Sequence, residues 1–232
     1  MSREQDLPAL IRRYSLCDRA GERLGALVEL LAGDPAAATA VRGRQRVLDD
    51  HVADSLVALE LPLVRAAASI ADLGSGAGLP GLPLAIALSD ARVTLLESNG
   101  RKCEFIARAI ALCELENAEA INTRAESWIE GLARNELVTA RALAPLSVVA
   151  EYAAPLLRDG GSLVAWRGKR DSVEEAAASR AAAQLGLEPA APISVSPHPD
   201  AHHRHLHVMR KVAQTPDRFP RRPGVARKRP LS

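Results

Sequence analysis

Residues 68–83 read Ala-Ser-Ile-Ala-Asp-Leu-Gly-Ser-Gly-Ala-Gly-Leu-Pro-Gly-Leu-Pro, and they constrain the fold more than any other stretch. Four of the fifteen glycines lie here, at Gly74, Gly76, Gly78 and Gly81. The run before them, residues 69–73, is short and mostly apolar, as a buried strand requires. Asp72 stands near its end, and an apolar helical run, residues 82–88, follows the glycines. Strand, glycine turn and helix together make a nucleotide-type binding site. Glycines admit positive φ and remove side chains that would hold a ligand away. The helix start offers unpaired N–H groups.

Two cofactor classes fit this pattern. Residues 76–81 spell G-x-G-x-x-G, the dinucleotide fingerprint. Asp72 extends it to D-x-G-x-G-x-G, which resembles the first motif of S-adenosylmethionine-dependent methyltransferases. An acid beside a pyrophosphate would repel it. S-adenosylmethionine has no phosphate and carries a sulfonium and an ammonium, so Asp72 favours the methyl donor.

Further along, residues 93–97 form a second strand ending in Glu97, where a Rossmann-like domain holds its nucleotide ribose. An ionised carboxylate accepts from two vicinal hydroxyls at once. A helix over residues 100–112 and a third strand over 118–122 follow. Ala125 and Glu126, in the loop after that strand, are candidates to contact an adenine. A short fourth strand, residues 137–140, runs into Arg141, a candidate holder of a carboxylate or phosphate. A helix over 148–157, a turn at Asp159-Gly160-Gly161, a strand over 162–166, a helix over 173–185 and two late strands near 193–195 and 205–212 complete the pattern. The last two strands are spaced to pair antiparallel.

Residues 1–67 read as helices, with Leu24, Leu27, Val28 and Leu31 at helical spacing and a third helix over about 47–61. His51, Asp54 and Ser55 share one face of that third helix. They fit either a polar cluster beside an active site or a network tying this region to the next. The expected organisation is N-terminal helices over 1–67, a catalytic domain over 68–212 and a basic tail over 213–232.

Net charge is only +2, but the end of the chain is uneven. From Asp217 onward stand Arg218, Arg221, Arg222, Arg227, Lys228 and Arg229. Such a tail fits a polyanion or a solvated terminus. Cys17, Cys103 and Cys113 form no C-x-x-C pair, as expected of a reduced cytoplasmic protein. No signal peptide or long apolar run is present, so no membrane association is expected. Two residues each of Trp, Tyr and Phe are too few for a surface that grips single strands by stacking. The histidines between His198 and His207 lack ligand partners nearby, and no metal is expected.

Several stretches together resemble one family: His51-Val-Ala-Asp54-Ser55-Leu56, the loop from Asp72 to Gly81, Leu95-Leu-Glu97-Ser98, Thr123-Arg124-Ala-Glu126, Ala140-Arg141-Ala142, Arg204-His205-Leu206 and the tail from Phe219 to Leu231. The chain is similar to the small-subunit (16S) ribosomal RNA (guanine-N7) methyltransferase G family, also called glucose-inhibited division protein B. The resemblance implies an α/β fold, a Rossmann-like seven-stranded methyltransferase sheet with an N-terminal helical extension. It implies S-adenosylmethionine as cofactor, held by Asp72, Gly74, Gly76, Gly78, Leu79, Glu97, Ala125, Glu126 and Arg141. It implies 16S rRNA of the small ribosomal subunit as partner, with His51, Arg124, Arg167, Lys169, Arg204, Arg221 and Arg222 as candidate RNA contacts. A monomer is the separate expectation. Asp50, Asn99 and Arg167 depart from the residues common in the family. No general base is expected, because guanine N7 carries a free lone pair. A methyltransferase on another RNA or acceptor, a dinucleotide-dependent oxidoreductase and a non-catalytic RNA-binding protein are the alternatives.

Overall fold

Alternation along the strands assigns the two faces of the central sheet. On β1 (Ser69–Leu73), Ile70 points into one apolar cluster, while Ala71 and Leu73 point into the other. On β2 (Arg92–Leu96), Val93 and Leu95 take the first face and Leu96 the second. A strand apolar on both faces must be covered on both, which places helices above and below a mostly parallel sheet. The computed structural model describes residues 6–231 and has this architecture. Met1 to Gln5, part of the expected N-terminal segment, and Ser232 of the tail lie outside the described residues.

The remaining strands are β3 (Ala118–Ile121), β4 (Asn135–Arg141), β5 (Leu157–Arg167), β6 (Leu187–Pro189), β7 (Ile193–Val195) and β8 (Arg204–Lys211). Seven of them run edge to edge in the order β3-β2-β1-β4-β5-β8-β6, and β7 also pairs with β8. The strands from β1 to β5 are parallel, and β8 is antiparallel to β5. β6 pairs with residues 209–211 and β7 with residues 204–206, so they occupy one edge of β8 as two pieces. The expected antiparallel pair is thus β7 with β8, and β6 is an addition the sequence pattern does not reveal. The order reverses between β1 and β4, the switch point where open α/β sheets bind ligands.

Several expected boundaries move, and the third helix expected over about 47–61 breaks into short π, α and 3₁₀ pieces. The helix expected over 148–157 is α8 in the full structure and spans Leu146–Ala153. Pro155 cannot supply an N–H to continue it. The expected turn at Asp159-Gly160-Gly161 lies inside β5, where a register shift against β4 absorbs it.

The N-terminal region is helical, as α1 (Leu7–Tyr14), α2 (Asp18–Gly33), α3 (Arg44–Val47), α4 (Asp54–Leu56) and α5 (Pro62–Arg65). Asp6 caps α1, accepting from the Ala9 N–H at 2.6 Å. The apolar stripe of α2 is buried against the first cluster. A π turn at Leu48–Ala53 joins α3 to α4, and a 3₁₀ turn follows at Val57–Glu60. The wide turn carries His51 at the edge of the sheet. The helices α6 (Gly81–Ala87) and α7 (Gly100–Leu112) cover the first face. The second is covered by α8 and α9 (Ser172–Leu185).

The tail folds onto this second face. Phe219 and Ala226 are buried in its cluster, and α10 (Val225–Lys228) packs beside α8. Arg221 places both arms of its guanidinium on Glu151, which is 2% exposed. Its expected role as an RNA contact therefore meets a charge already matched inside the protein. Removing one partner of a buried pair strands the other. We predict that Arg221→Ala lowers unfolding free energy by about 3 kcal/mol, whereas Arg222→Ala, at an exposed position, changes it by less than about 0.5 kcal/mol. Urea denaturation of the two variants checks this.

Candidate cofactor and acceptor site

The glycine loop after β1 is fastened by its own backbone and by two acids. Ser75 N–H donates to Leu96 O at 3.1 Å, and the N–H groups of Gly78 and Leu79 donate to Ser75 O at 2.7 and 2.9 Å. Gly81 N–H donates to Asp72 Oδ2 at 3.2 Å, and Gly76 N–H to Glu97 Oε2 at 3.0 Å. Gly78 has φ +84, and a Cβ there would stand 2.6 Å from Leu82 Cγ. Gly76, with φ +60, has nothing closer than 3.8 Å, so its missing side chain leaves open space on the cavity side.

Asp72 is fully buried and lines no described cavity. It also accepts from Thr139 Oγ1 at 2.8 Å, so it clamps β1, β4 and the start of α6 together. Burial pushes its carboxyl up, against the pull of these hydrogen bonds. The expected ligand contact at Asp72 is thus a fastening of the loop from below. Gly78 likewise serves the turn and lines no described cavity.

Glu97 does face the cavity. Its Oε1 accepts from Asn99 N–H at 2.8 Å, which fixes the carboxylate plane. Each oxygen keeps a lone pair for a further donor. A cavity of about 480 Å³ opens here, lined by Gly74, Gly76, Leu79, Glu97, Lys102 and Arg141 among others. That is ordinary for a small-molecule site. A smaller space of about 160 Å³ adjoins it and brings in Arg124, Ala125 and Glu126.

A third cavity, about 510 Å³, shares His51, Arg141 and Ala142 with the main one. Arg167, Lys169 and Arg204 line it, so four of the candidate RNA contacts, counting His51, converge there. Arg124 lies instead at the smaller space, and exposed Arg222 lines none of the three.

The wall between the cavities of about 480 and 510 Å³ is a polar network. Arg141 Nη1 donates to Asp54 Oδ2 at 2.9 Å and to Asp50 O at 3.2 Å. Arg204 Nε stands 3.3 Å from Asp54 Oδ1, and Trp166 Nε1 donates to Asp54 O at 2.7 Å. Ser55 Oγ donates to His51 O at 2.6 Å. Arg167 is held by Glu174 and by Ala144 O. Both readings of the His51, Asp54 and Ser55 cluster therefore meet here: the network ties the N-terminal helices to the sheet and also lines the site. Ala142, with φ +52, turns the chain sharply after Arg141.

Sequence reasoning missed Thr39, Ser98, Lys102, Leu143 and Arg227, all lining the main cavity. Lys102 sits one turn into α7, in reach of the cavity because Asn99 caps that helix. Thr39 comes from a loop with no periodic signal, and Arg227 from the returning tail.

The loop decides between cofactor classes. A phosphate-binding turn keeps its backbone N–H groups free for the anion. Here those of residues 75, 76, 78, 79 and 81 are all taken, one of them by a carboxylate facing the cavity. The pocket fits a phosphate-free nucleoside such as S-adenosylmethionine and disfavours a dinucleotide.

Fold and site together define a Rossmann-like S-adenosylmethionine-dependent methyltransferase. The solved structure of a SAM-dependent methyltransferase from Aquifex aeolicus superposes with a TM-score of 0.56 at 13% identity, over 80% of this chain and 97% of that one. The family described as rRNA small subunit methyltransferase G (GidB) matches residues 24–205. A relative named ribosomal RNA small subunit methyltransferase G, from Chloroflexus aggregans, is 43% identical over 83% of this chain and 82% of its own. Another of the same name, from Rubrobacter xylanophilus, is 41% identical over 82% and 75%. The chain belongs to this GidB family of methyltransferases.

His51 provides a pH reading of the site. Its Nε2 meets Thr39 Oγ1 at 2.6 Å and its Nδ1 meets Asp50 O at 3.0 Å. The pairing with a carbonyl assigns the proton to Nδ1. Burial first, then the charge of Arg141, lowers its pKa from 6.5. The folded protein then binds this proton more weakly than the unfolded chain. Stability from this group is complete above pH 6.5 and declines as pH falls below it. We predict an imidazole NMR titration midpoint below 6.5 that rises in Arg141→Gln, and a thermal stability loss on acidification that is smaller in His51→Gln.

Proposed function

We propose that this chain transfers the methyl group of S-adenosylmethionine to N7 of a guanine in 16S rRNA of the small ribosomal subunit. It acts as a single chain in the cytoplasm. The observation that carries this reading is the joining of the cofactor cavity to a second, cation-lined cavity through His51, Arg141 and Ala142. The relatives' printed names supply the RNA class. No helix among the described residues is long and apolar enough to cross a membrane.

When bound, S-adenosylmethionine supplies an electrophilic sulfonium methyl, which the N7 lone pair takes as the carbon–sulfur electrons return to sulfur. N7 carries no proton at neutral pH, so the chain needs no general base. Its residues have three tasks. Glu97 and the glycine loop orient the nucleoside. Arg167, Lys169 and Arg204 meet the RNA backbone at the mouth of the second cavity, with Arg124 and Arg222 further out. Asp50, which lines the second cavity, favours the positive charge that develops on the base. Holding the acceptor and donor in line supplies most of the acceleration.

In an A-form helix the major-groove edge that carries N7 is too deep and narrow to reach. The target guanine must be unpaired or turned out of its stack, as a cavity of about 510 Å³ accommodates.

Transfer of labelled methyl to small subunits lacking N7-methylguanosine tests the reading, with naked rRNA and large subunits in parallel. One N7-specific strand-cleavage site on the small-subunit RNA is expected. Label without N7 cleavage would remove the guanine-N7 assignment, and label on large subunits alone would remove the partner.

A further inference from the structure

The basic tail does not end in solvent. After Phe219 enters the second cluster, the chain crosses the carboxyl edge of the sheet and reaches the cofactor cavity. Gly224 N–H donates to Glu126 Oε1 at 3.0 Å. Arg227 Nη2 donates to Leu143 O at 2.8 Å. Ala226, between them, is 1% exposed and anchors the turn. Arg227 lines both the main cavity and the 160 Å³ space beside it, together with Gly74, Ser98 and Leu143.

We propose that Arg227 is a cofactor-binding residue and that the docked tail is the adenine-side wall of the S-adenosylmethionine site. The proposal rests on the cofactor reading above. An adenine offers a flat π-face and one exocyclic amine donor. The amine needs an acceptor, and Glu126 supplies one: Gly224 holds Oε1, which leaves Oε2 for the ligand. The face needs a planar cover, and a guanidinium stacks on aromatic rings. The bond to Leu143 O holds the Arg227 head at the junction of the two spaces, so less freedom is lost when a ring arrives.

Composition alone leaves Arg227 open between a polyanion contact and a solvated terminus. The geometry points it at the cofactor instead. Because docking and binding share these contacts, each must favour the other by the same factor. Cofactor then holds the tail down, and a loosened tail weakens cofactor.

Calorimetry on the full chain with S-adenosylmethionine and with 5′-methylthioadenosine, which lacks the amino-acid arm, tests the assignment. Arg227 is exposed, so Arg227→Ala is expected to melt like the wild type. It is expected to bind both compounds about tenfold more weakly. Limited trypsinolysis is the second measurement: saturating S-adenosylmethionine is expected to slow cleavage after Arg227 and Lys228 several-fold. Wild-type affinity for both compounds in Arg227→Ala, with cleavage indifferent to cofactor, overturns this proposal alone. A wild-type chain that binds neither compound overturns the cofactor reading and this proposal with it. Loss confined to S-adenosylmethionine would place Arg227 at the amino-acid arm and overturn the adenine assignment.

Discussion

Two carboxylates take backbone N–H groups of the glycine loop, and the rest of the site depends on that capture. Asp72 holds Gly81 from beneath, and Glu97 holds Gly76 from the side. Hydrogen bonds to a carboxylate contribute about 1.5–3 kcal/mol each, so together they hold the turn that the positive-φ glycines at 74, 76 and 78 admit. The chemical consequence is larger than the energetic one. With five of its N–H groups occupied the loop is a poor cradle for a phosphate, while Glu97 still has lone pairs for further donors. The same G-x-G-x-x-G spelling that elsewhere marks a dinucleotide fold here marks a nucleoside site.

A second constraint is the Asp54–Arg141 pair. Arg141 ends β4 at the switch point of the sheet, and Asp54 begins α4. Both side chains are largely buried, with 15% and 8% exposure. Such a pair is weak evidence for stability, since desolvation offsets much of the attraction. Its value is positional. It fixes the N-terminal helices against the sheet where the cavities of about 480 and 510 Å³ meet. Trp166 and Arg204 attach to the same node, and the His51 ring lies beside it. The tail closes the opposite side through Glu151 and Glu126.

Much of this was legible in the sequence, for a physical reason. Strand and glycine signals are local, so the predicted strand at 69–73 and the helix at 100–112 match β1 and α7. The cavity-facing position of Glu97 is legible because a strand end fixes where its carboxylate goes. Other features were hidden because they arise from chain return. Nothing local shows that Arg221 meets Glu151, a residue 70 positions away, or that Arg227 reaches Leu143, 84 positions away. A basic tail that neutralises buried acids and one that binds a polyanion have the same composition. Asp72 was read as a ligand contact because motif position does not distinguish an acid beside a loop from one beneath it.

The most direct measurement is calorimetric titration of the wild-type chain and of Glu97→Gln with S-adenosylmethionine and with NAD. The expected result is saturable binding of S-adenosylmethionine by the wild type and no detectable binding of NAD. Glu97→Gln is expected to lose about tenfold or more in S-adenosylmethionine affinity, the loss of a charge-assisted acceptor for the ribose. Binding of NAD as tight as that of S-adenosylmethionine would contradict a loop closed to phosphate. Unchanged affinity in Glu97→Gln would contradict the placement of the ribose.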